Sequence, residues 1–243
     1  MKTLYLASVM AAALIPSTVM AKEMTRAEVE AIVKEYIQNN PEVILDSVDA
    51  YGRAQQEADL EAQQQEVEKQ LGWIENNKNL PVAGNPNGDI TIVEFFDYNC
   101  GYCKKALSDV MTLIEEDKNL KFVFIDMPIL GPTSTLAAKW ALAAKEQNAY
   151  LEYHIALMEG SGMITEARLE SIAKKIGLNV DQLRKDAEGP EIAAIVAEKA
   201  AKAAQMGISG TPAFIIDGKL YGGYIGVDRM RNAVAEAREN KKK

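Results

Sequence analysis

Ile90-Thr91-Ile92-Val93-Glu94-Phe95-Phe96-Asp97-Tyr98-Asn99-Cys100-Gly101-Tyr102-Cys103 joins an apolar run to both cysteines of the chain. Ile90 to Asp97 is apolar apart from Thr91, Glu94 and its last residue, the composition of a strand buried on both faces. A helix carrying Leu107, Val110, Met111 and Ile114 begins within the cysteine tetrapeptide, and Lys121 to Met127 reads as a second strand. Together they make a β–α–β unit with a right-handed crossover. A Cys-x-x-Cys pair at a helix start has a direct chemical use. Free backbone N–H groups and the positive end of the helix dipole face the first sulfur and favour its thiolate, the form that attacks disulfides. The second sulfur lies one turn further in, close enough to displace a mixed disulfide. Cys100 is thus expected as the exposed nucleophile and Cys103 as the buried resolving thiol, with Lys104 and Lys105 solvated beside them.

The competing use of two thiols is metal binding. Zinc normally takes four ligands, or three and water. The chain offers two cysteines and one histidine, His154, far away in sequence and read as a packed or rim residue of a helix. Two thiolates can also hold Cu(I), so copper sequestration stays as an alternative. Glu94 has two readings. As a buried carboxylate it serves as a proton relay for Cys103, and as an ordinary strand residue it faces solvent. Gly210-Thr211-Pro212-Ala213 leads into a further strand, where proline sits only at an edge or a beginning. A cis Thr211–Pro212 bond presents the Thr211 backbone to an extended substrate beside Cys100, whereas alone the motif is a turn proline.

Beyond this centre, Pro132 to about Met206 is helical, in runs divided by Gly160-Ser161-Gly162, Gly177 and Gly189-Pro190. Ala213 to Ile216, Asp217-Gly218 and Lys219 to Tyr224 form a strand, a tight turn and a strand, and Val227 to Glu239 closes the chain as a helix. The result is a small sheet covered on both faces, with a helical insertion between its halves. Upstream, Asn79 to Asp89 is a cluster of turn formers that opens this domain. Val29, Ile32, Val33, Tyr36 and Ile37 make an amphipathic helix that Asn39-Asn40-Pro41 stops. A second helix carries Val43, Ile44, Val48 and Tyr51, then Leu60, Val67 and Ile74 at seven-residue spacing with Leu71 beside them. That seam is either the thin side of a solvated helix or an element that buries itself against copies of the chain.

Residues 1–21 read as a secretory leader: Lys2, the apolar run Leu4 to Ile15, Pro16, and a cleavage site after Ala21. The formal net charge is −8 over 243 residues, and the leader holds one base and no acid, so the mature chain is one unit more acidic. Such a surface repels phosphate backbones, and nucleic acid is not an expected partner. In an exported chain two distant cysteines suggest a structural staple, but these close a loop too small to constrain the unfolded chain. Their chemistry must explain them.

The assembled motifs resemble the DsbA family of thioredoxin-fold proteins. Glu94 to Cys103 is similar to that family's active-site strand and helix, and Met127-Pro128-Ile129-Leu130-Gly131-Pro132 to its approach to the insertion. Tyr153-His154-Ile155-Ala156-Leu157 fits a helix of the insertion, and Gly210 to Gly218 its cis-proline loop and hairpin. The resemblance implies an α/β chain, a thioredoxin fold with a helical insertion (about 132–206) within residues 79–243. It makes Cys100 the nucleophile, Cys103 the resolving cysteine, Glu94 the buried acid and Thr211-Pro212 the cis-proline pair, with no cofactor and no metal. Gly101-Tyr102 departs from the Pro-His of strongly oxidising members and matches the isomerase DsbC, and threonine before the proline is also isomerase-like. Val33-Lys34-Glu35-Tyr36-Ile37 and Asn39-Asn40-Pro41-Glu42-Val43 look like the N-terminal element of ScsC-type proteins, which implies that residues 22–78 are a helical oligomerisation region. The implied protein is a periplasmic homo-oligomer, trimer or dimer, acting as a disulfide isomerase or mixed isomerase and oxidase. Its partners are exported cysteine-containing clients and a membrane redox protein. A plain dithiol oxidase is the alternative.

Overall fold

The computed structural model describes residues 23–242, so the leader read in residues 1–21 lies outside the described residues. Thr25 opens α1 (Arg26–Asn39) with a capping box: its hydroxyl accepts from the Glu28 N–H, and the Glu28 carboxylate accepts from the Thr25 N–H. Asn40 closes α1 ahead of Pro41, its side chain donating to the Tyr36 carbonyl. α2 (Glu42–Asn76) then runs for 35 residues. The chain divides into two compact units between Gln56 and Glu57, so the division falls inside α2 and not at the expected 78/79. In the first unit α1 buries no residue, and Ile32, Val33 and Tyr36 of α1 and Leu45, Val48 and Tyr51 of α2 all stand exposed. A helix of 14 residues such as α1 gains little stability from propensity alone and depends on burying such a stripe.

In the second unit one five-stranded sheet has the order β1-β3-β2-β4-β5. Its strands are β1 (Val82–Gly84), β2 (Ile90–Phe96), β3 (Leu120–Asp126), β4 (Ala213–Ile216) and β5 (Lys219–Gly222). β2 and β3 are parallel, with Glu94 opposite Phe124, and α3 (Gly101–Glu116) makes the crossover between them. The other pairs are antiparallel. Side chains alternate across the sheet, which explains why β2 is apolar almost throughout. Ile90, Ile92 and Phe96 face a core built with α3 and the insertion, while Val93 and Phe95 face a second core. That second core is closed by Val67 and Ile74 of α2. The seven-residue seam is therefore covered, from Val67 onward, by the chain's own sheet.

The insertion comprises α4 (Pro132–Glu146), α5 (Tyr150–Glu159), α6 (Glu166–Lys175), α7 (Val180–Glu188) and α8 (Pro190–Gln205), and α9 (Val227–Asn240) ends the fold. Proline stands in the first turn of α4 and α8, where no N–H is missed. Asp217 and Gly218 have φ of 47° and 87°, the pair of left-handed residues that a tight type I′ hairpin turn needs. Two features were not legible in the sequence. The turn cluster 79–89 contains the edge strand β1, too short to show a period; its Gly84 has φ +74°, and a Cβ there would meet the Leu120 carbonyl oxygen at 2.5 Å. Between α8 and β3, Lys199 Nζ donates to Asp126 at 2.6 Å, both side chains fully buried. Burial of Lys199 pushes its pKa down, and the Asp126 carboxylate opposes that shift.

Candidate active site

β2 ends at Phe96, and the turn Asp97-Tyr98-Asn99 carries the chain into α3 with Cys100 as N-cap. Buried Asp97 holds this turn. One carboxylate oxygen accepts from the Asn99 N–H (2.8 Å) and the Ser134 hydroxyl (2.7 Å), the other from the N–H groups of Ile129 and Leu130 (2.8 and 2.9 Å). The segment leading to α4 is thereby bonded to the cysteine turn. Sequence reading did not single out Asp97; an acid at the end of a buried strand, just before a turn, was the signal available.

The two cysteines are free thiols. Cys100 is recessed, 7% exposed, where the sequence suggested an exposed residue. The Cys103 N–H points at Cys100 Sγ at 3.4 Å, the peptide-dipole contact expected at a helix start. Cys100 Sγ donates in turn to the Thr211 carbonyl oxygen at 3.3 Å. The Thr211–Pro212 peptide is cis and leads into β4. Residues more than a hundred positions apart thus meet at one sulfur. Cys103 is fully buried, and its thiol is pushed far above the ordinary cysteine value by burial first, with the bond to Cys100 adding to it. At neutral pH it holds its proton and needs a base in order to react.

Glu94 is 2% exposed, which excludes the solvent-facing reading, and its Oε1 has no hydrogen-bond partner. Burial, reinforced by the Cys100 charge, raises its pKa from 4.5 to about 8. The fold therefore keeps a proton that the unfolded chain has released between about pH 4.5 and 8. The stability this proton brings is complete below 4.5 and is lost as pH rises through 8. Glu94→Gln is expected to match the wild-type melting temperature near pH 4.5 and to exceed it at pH 9. Parallel melting curves at every pH would show that Glu94 titrates normally.

His154 lies deep in the first core, Nδ1 3.2 Å from the Tyr98 hydroxyl and its ring between Phe96, Phe124 and Tyr150. Burial lowers its pKa to about 3, so it stays neutral and packed. Lys104 differs from the solvated reading: it is half-buried, donates to the Gly160 carbonyl at 3.0 Å, and burial lowers its pKa. Lys105 lies 4.6 Å over the Tyr224 ring, which also stacks on exposed Tyr102. Among the described residues no group of three or more His, Cys, Asp or Glu stands together to hold a metal, and no helix is long and apolar enough to cross a membrane.

A dithiol capping a helix over a mixed sheet, faced by a cis-proline loop, defines a thiol–disulfide oxidoreductase of the thioredoxin fold. The chain belongs to the family of DSBA-like thioredoxin domains, which matches residues 91–236. Residues 26–58 match the N-terminal domain of the copper resistance protein ScsC. A thioredoxin-like oxidoreductase from Silicibacter pomeroyi is 43% identical with a TM-score of 0.66, over 68% of this chain and 96% of that one. The thiol-disulfide exchange protein alpha-DsbA2 from Wolbachia pipientis is 28% identical with a TM-score of 0.68, over 74% and 97%. A Na(+)/H(+) antiporter NhaA 1 from Salinispora arenicola is 30% identical over 158 residues, 64% of this chain; the chain spans 24% of that protein's length.

Proposed function

We propose that this chain is a periplasmic thiol:disulfide interchange protein that works chiefly as an oligomeric disulfide isomerase. The contact of Cys100 Sγ with the Cys103 N–H on one side and the Thr211 carbonyl on the other carries the reading. Cys100, as thiolate, attacks one sulfur of a wrong disulfide in an exported client. A Cys100–client bond forms, the client bond breaks, and the departing client thiolate takes a proton. The freed client sulfur can then attack another bridge. Otherwise Glu94, once its own proton has passed to solvent, accepts the Cys103 proton, Cys103 attacks Cys100 Sγ, and the client leaves reduced while the pair becomes oxidised. A membrane reductase would return the pair to the dithiol. Gly101-Tyr102 and Thr211 support isomerase use. The exposed stripe of residues 26–51 and the ScsC match support self-association, which would set several active sites around one client.

The test is refolding of a protein with scrambled disulfides. Catalytic recovery of its activity by the reduced protein is expected. Oxidation of a reduced substrate without recovery of the scrambled one would make it a dithiol oxidase. Because the N-terminal match is to a copper resistance protein, Cu(I) sequestration by the two thiols is the second reading, and tight stoichiometric Cu(I) binding without turnover would favour it.

A further inference from the structure

On the sheet face opposite α3 lies a groove of about 900 Å³ within the second unit. One wall is α2 from Leu60 to Leu71; the other is the loop that ends in Thr211-Pro212-Ala213 together with the 217–223 hairpin. The lining is mainly apolar, and the charged groups at its rim, Glu68, Asp217 and Lys219, are of both signs. At Gly210, Gly222 and Gly223 there is open space where a Cβ would stand, so the groove reaches bare backbone. β5 is an outer strand of the sheet. At one point its edge is already satisfied by a side chain: the Gln64 amide donates to the Gly218 carbonyl (2.7 Å) and accepts from the Leu220 N–H (3.2 Å). That is the exchange an added strand makes, performed by a group of the same chemistry as a peptide.

We propose that this groove holds an extended, apolar segment of the client, laid along β5 as a further strand while the client cysteine is bonded to Cys100. The proposal rests on the thiol-exchange reading, and that reading supplies the occupant. In the mixed disulfide the client is tied to Cys100 Sγ, 3.3 Å from the Thr211 oxygen, and Thr211 lines the groove. An extended chain advances roughly 3.3–3.6 Å per residue, so client residues within a few positions of the cysteine reach the groove. A rim carrying both signs of charge selects no particular client charge. What the site selects is apolar side chains on an extended backbone, which misfolded chains expose. The Gly222-Gly223 backbone and the wall made by Leu60 and Leu71 become specificity determinants of the exchange.

The test compares two peptides, each with its cysteine activated as a glutathione mixed disulfide: one with leucine and valine flanking the cysteine, one with serine. Wild type is expected to react with the apolar peptide about tenfold faster, the factor that accompanies burial of one aliphatic side chain. Gly222→Phe fills the groove at an exposed glycine outside the left-handed region, and Leu60→Lys charges its wall at an exposed leucine. Each is expected to bring the ratio of the two rates close to one. A wild-type ratio of one, or a ratio that survives both substitutions, would overturn the proposal. So would photo-crosslinks from the apolar peptide to the Tyr102–Tyr224 side instead of residues 60–71 and 217–223. Failure of the wild type to exchange with glutathione disulfide itself would instead overturn the exchange reading, and the groove assignment with it.

Discussion

Cys103→Ser is expected to stop at the mixed disulfide and accumulate a covalent adduct with client, whereas Cys100→Ser forms no adduct at all. The asymmetry follows from burial. Cys103 has no exposed surface and a thiol held well above the ordinary range, so without Cys100 it presents no nucleophile to an outside disulfide. Cys100 sits at the helix start with the Thr211 carbonyl beside it, on the backbone that an extended client would follow. In the proposed exchange, resolution by Cys103 is intramolecular, and well-placed groups of that kind act at effective concentrations of about 10⁵ M or more. An external thiol at millimolar concentration cannot replace this, so the Cys103→Ser adduct persists until reductant is added. Mass spectrometry after mixing with a disulfide-bonded client reads both outcomes directly. Turnover by Cys100→Ser at the wild-type rate would reverse the roles given to the two sulfurs. Glu94→Gln should share part of the Cys103→Ser behaviour, with resolution slowed by roughly a hundredfold, since a positioned base contributes factors of that order.

What could be read in advance was whatever local chemistry dictates. The apolar run of β2, the cysteine pair at a helix start, the Asp217-Gly218 turn and the proline before β4 each carry their own reason in neighbouring residues. The meeting of Thr211 with Cys100 followed only on the condition that the Thr211–Pro212 bond is cis, which the family likeness implied and no local pattern does. Features made by pairs remote in sequence were not legible. The ion pair of Asp126 and Lys199 joins two residues that separately look like surface charges. Asp97 shows its use only once Ile129, Leu130 and Ser134 are in place around it. Glu94 was ambiguous because a strand buried on both faces shows no alternation to consult. The second half of α2 was the main misreading. A seven-residue apolar spacing says that a stripe is covered and is silent on what covers it, and here Val67 and Ile74 lie on the chain's own sheet while Leu60 stands exposed.

That distinction decides where the chain can be cut. A protein lacking residues 1–56 is expected to fold as a monomer and to exchange with small disulfides, while losing rescue of scrambled clients. One lacking residues 1–78 is expected not to fold. The longer deletion removes Val67 and Ile74 from the second core and uncovers Val93, Phe95, Val123 and Ile215. Each fully buried aliphatic side chain is worth about 1.5–3 kcal/mol, so these two alone withdraw roughly 3–6 kcal/mol from a fold whose net stability is of order 5–15. The Trp73 indole bond to Glu198 (2.7 Å) and those of Gln64 to the β4–β5 hairpin go with them. The shorter deletion leaves all of these in place and takes only a unit whose apolar stripe stands exposed among the described residues. Sedimentation of the full chain and the two deletions, with melting curves and the scrambled-client assay, separates the cases. A 1–56 deletion that rescues clients as well as the full chain would show that self-association is not what makes the isomerase. A 1–78 deletion with a cooperative melt near that of the full chain would show that the second half of α2 is dispensable to the sheet it covers.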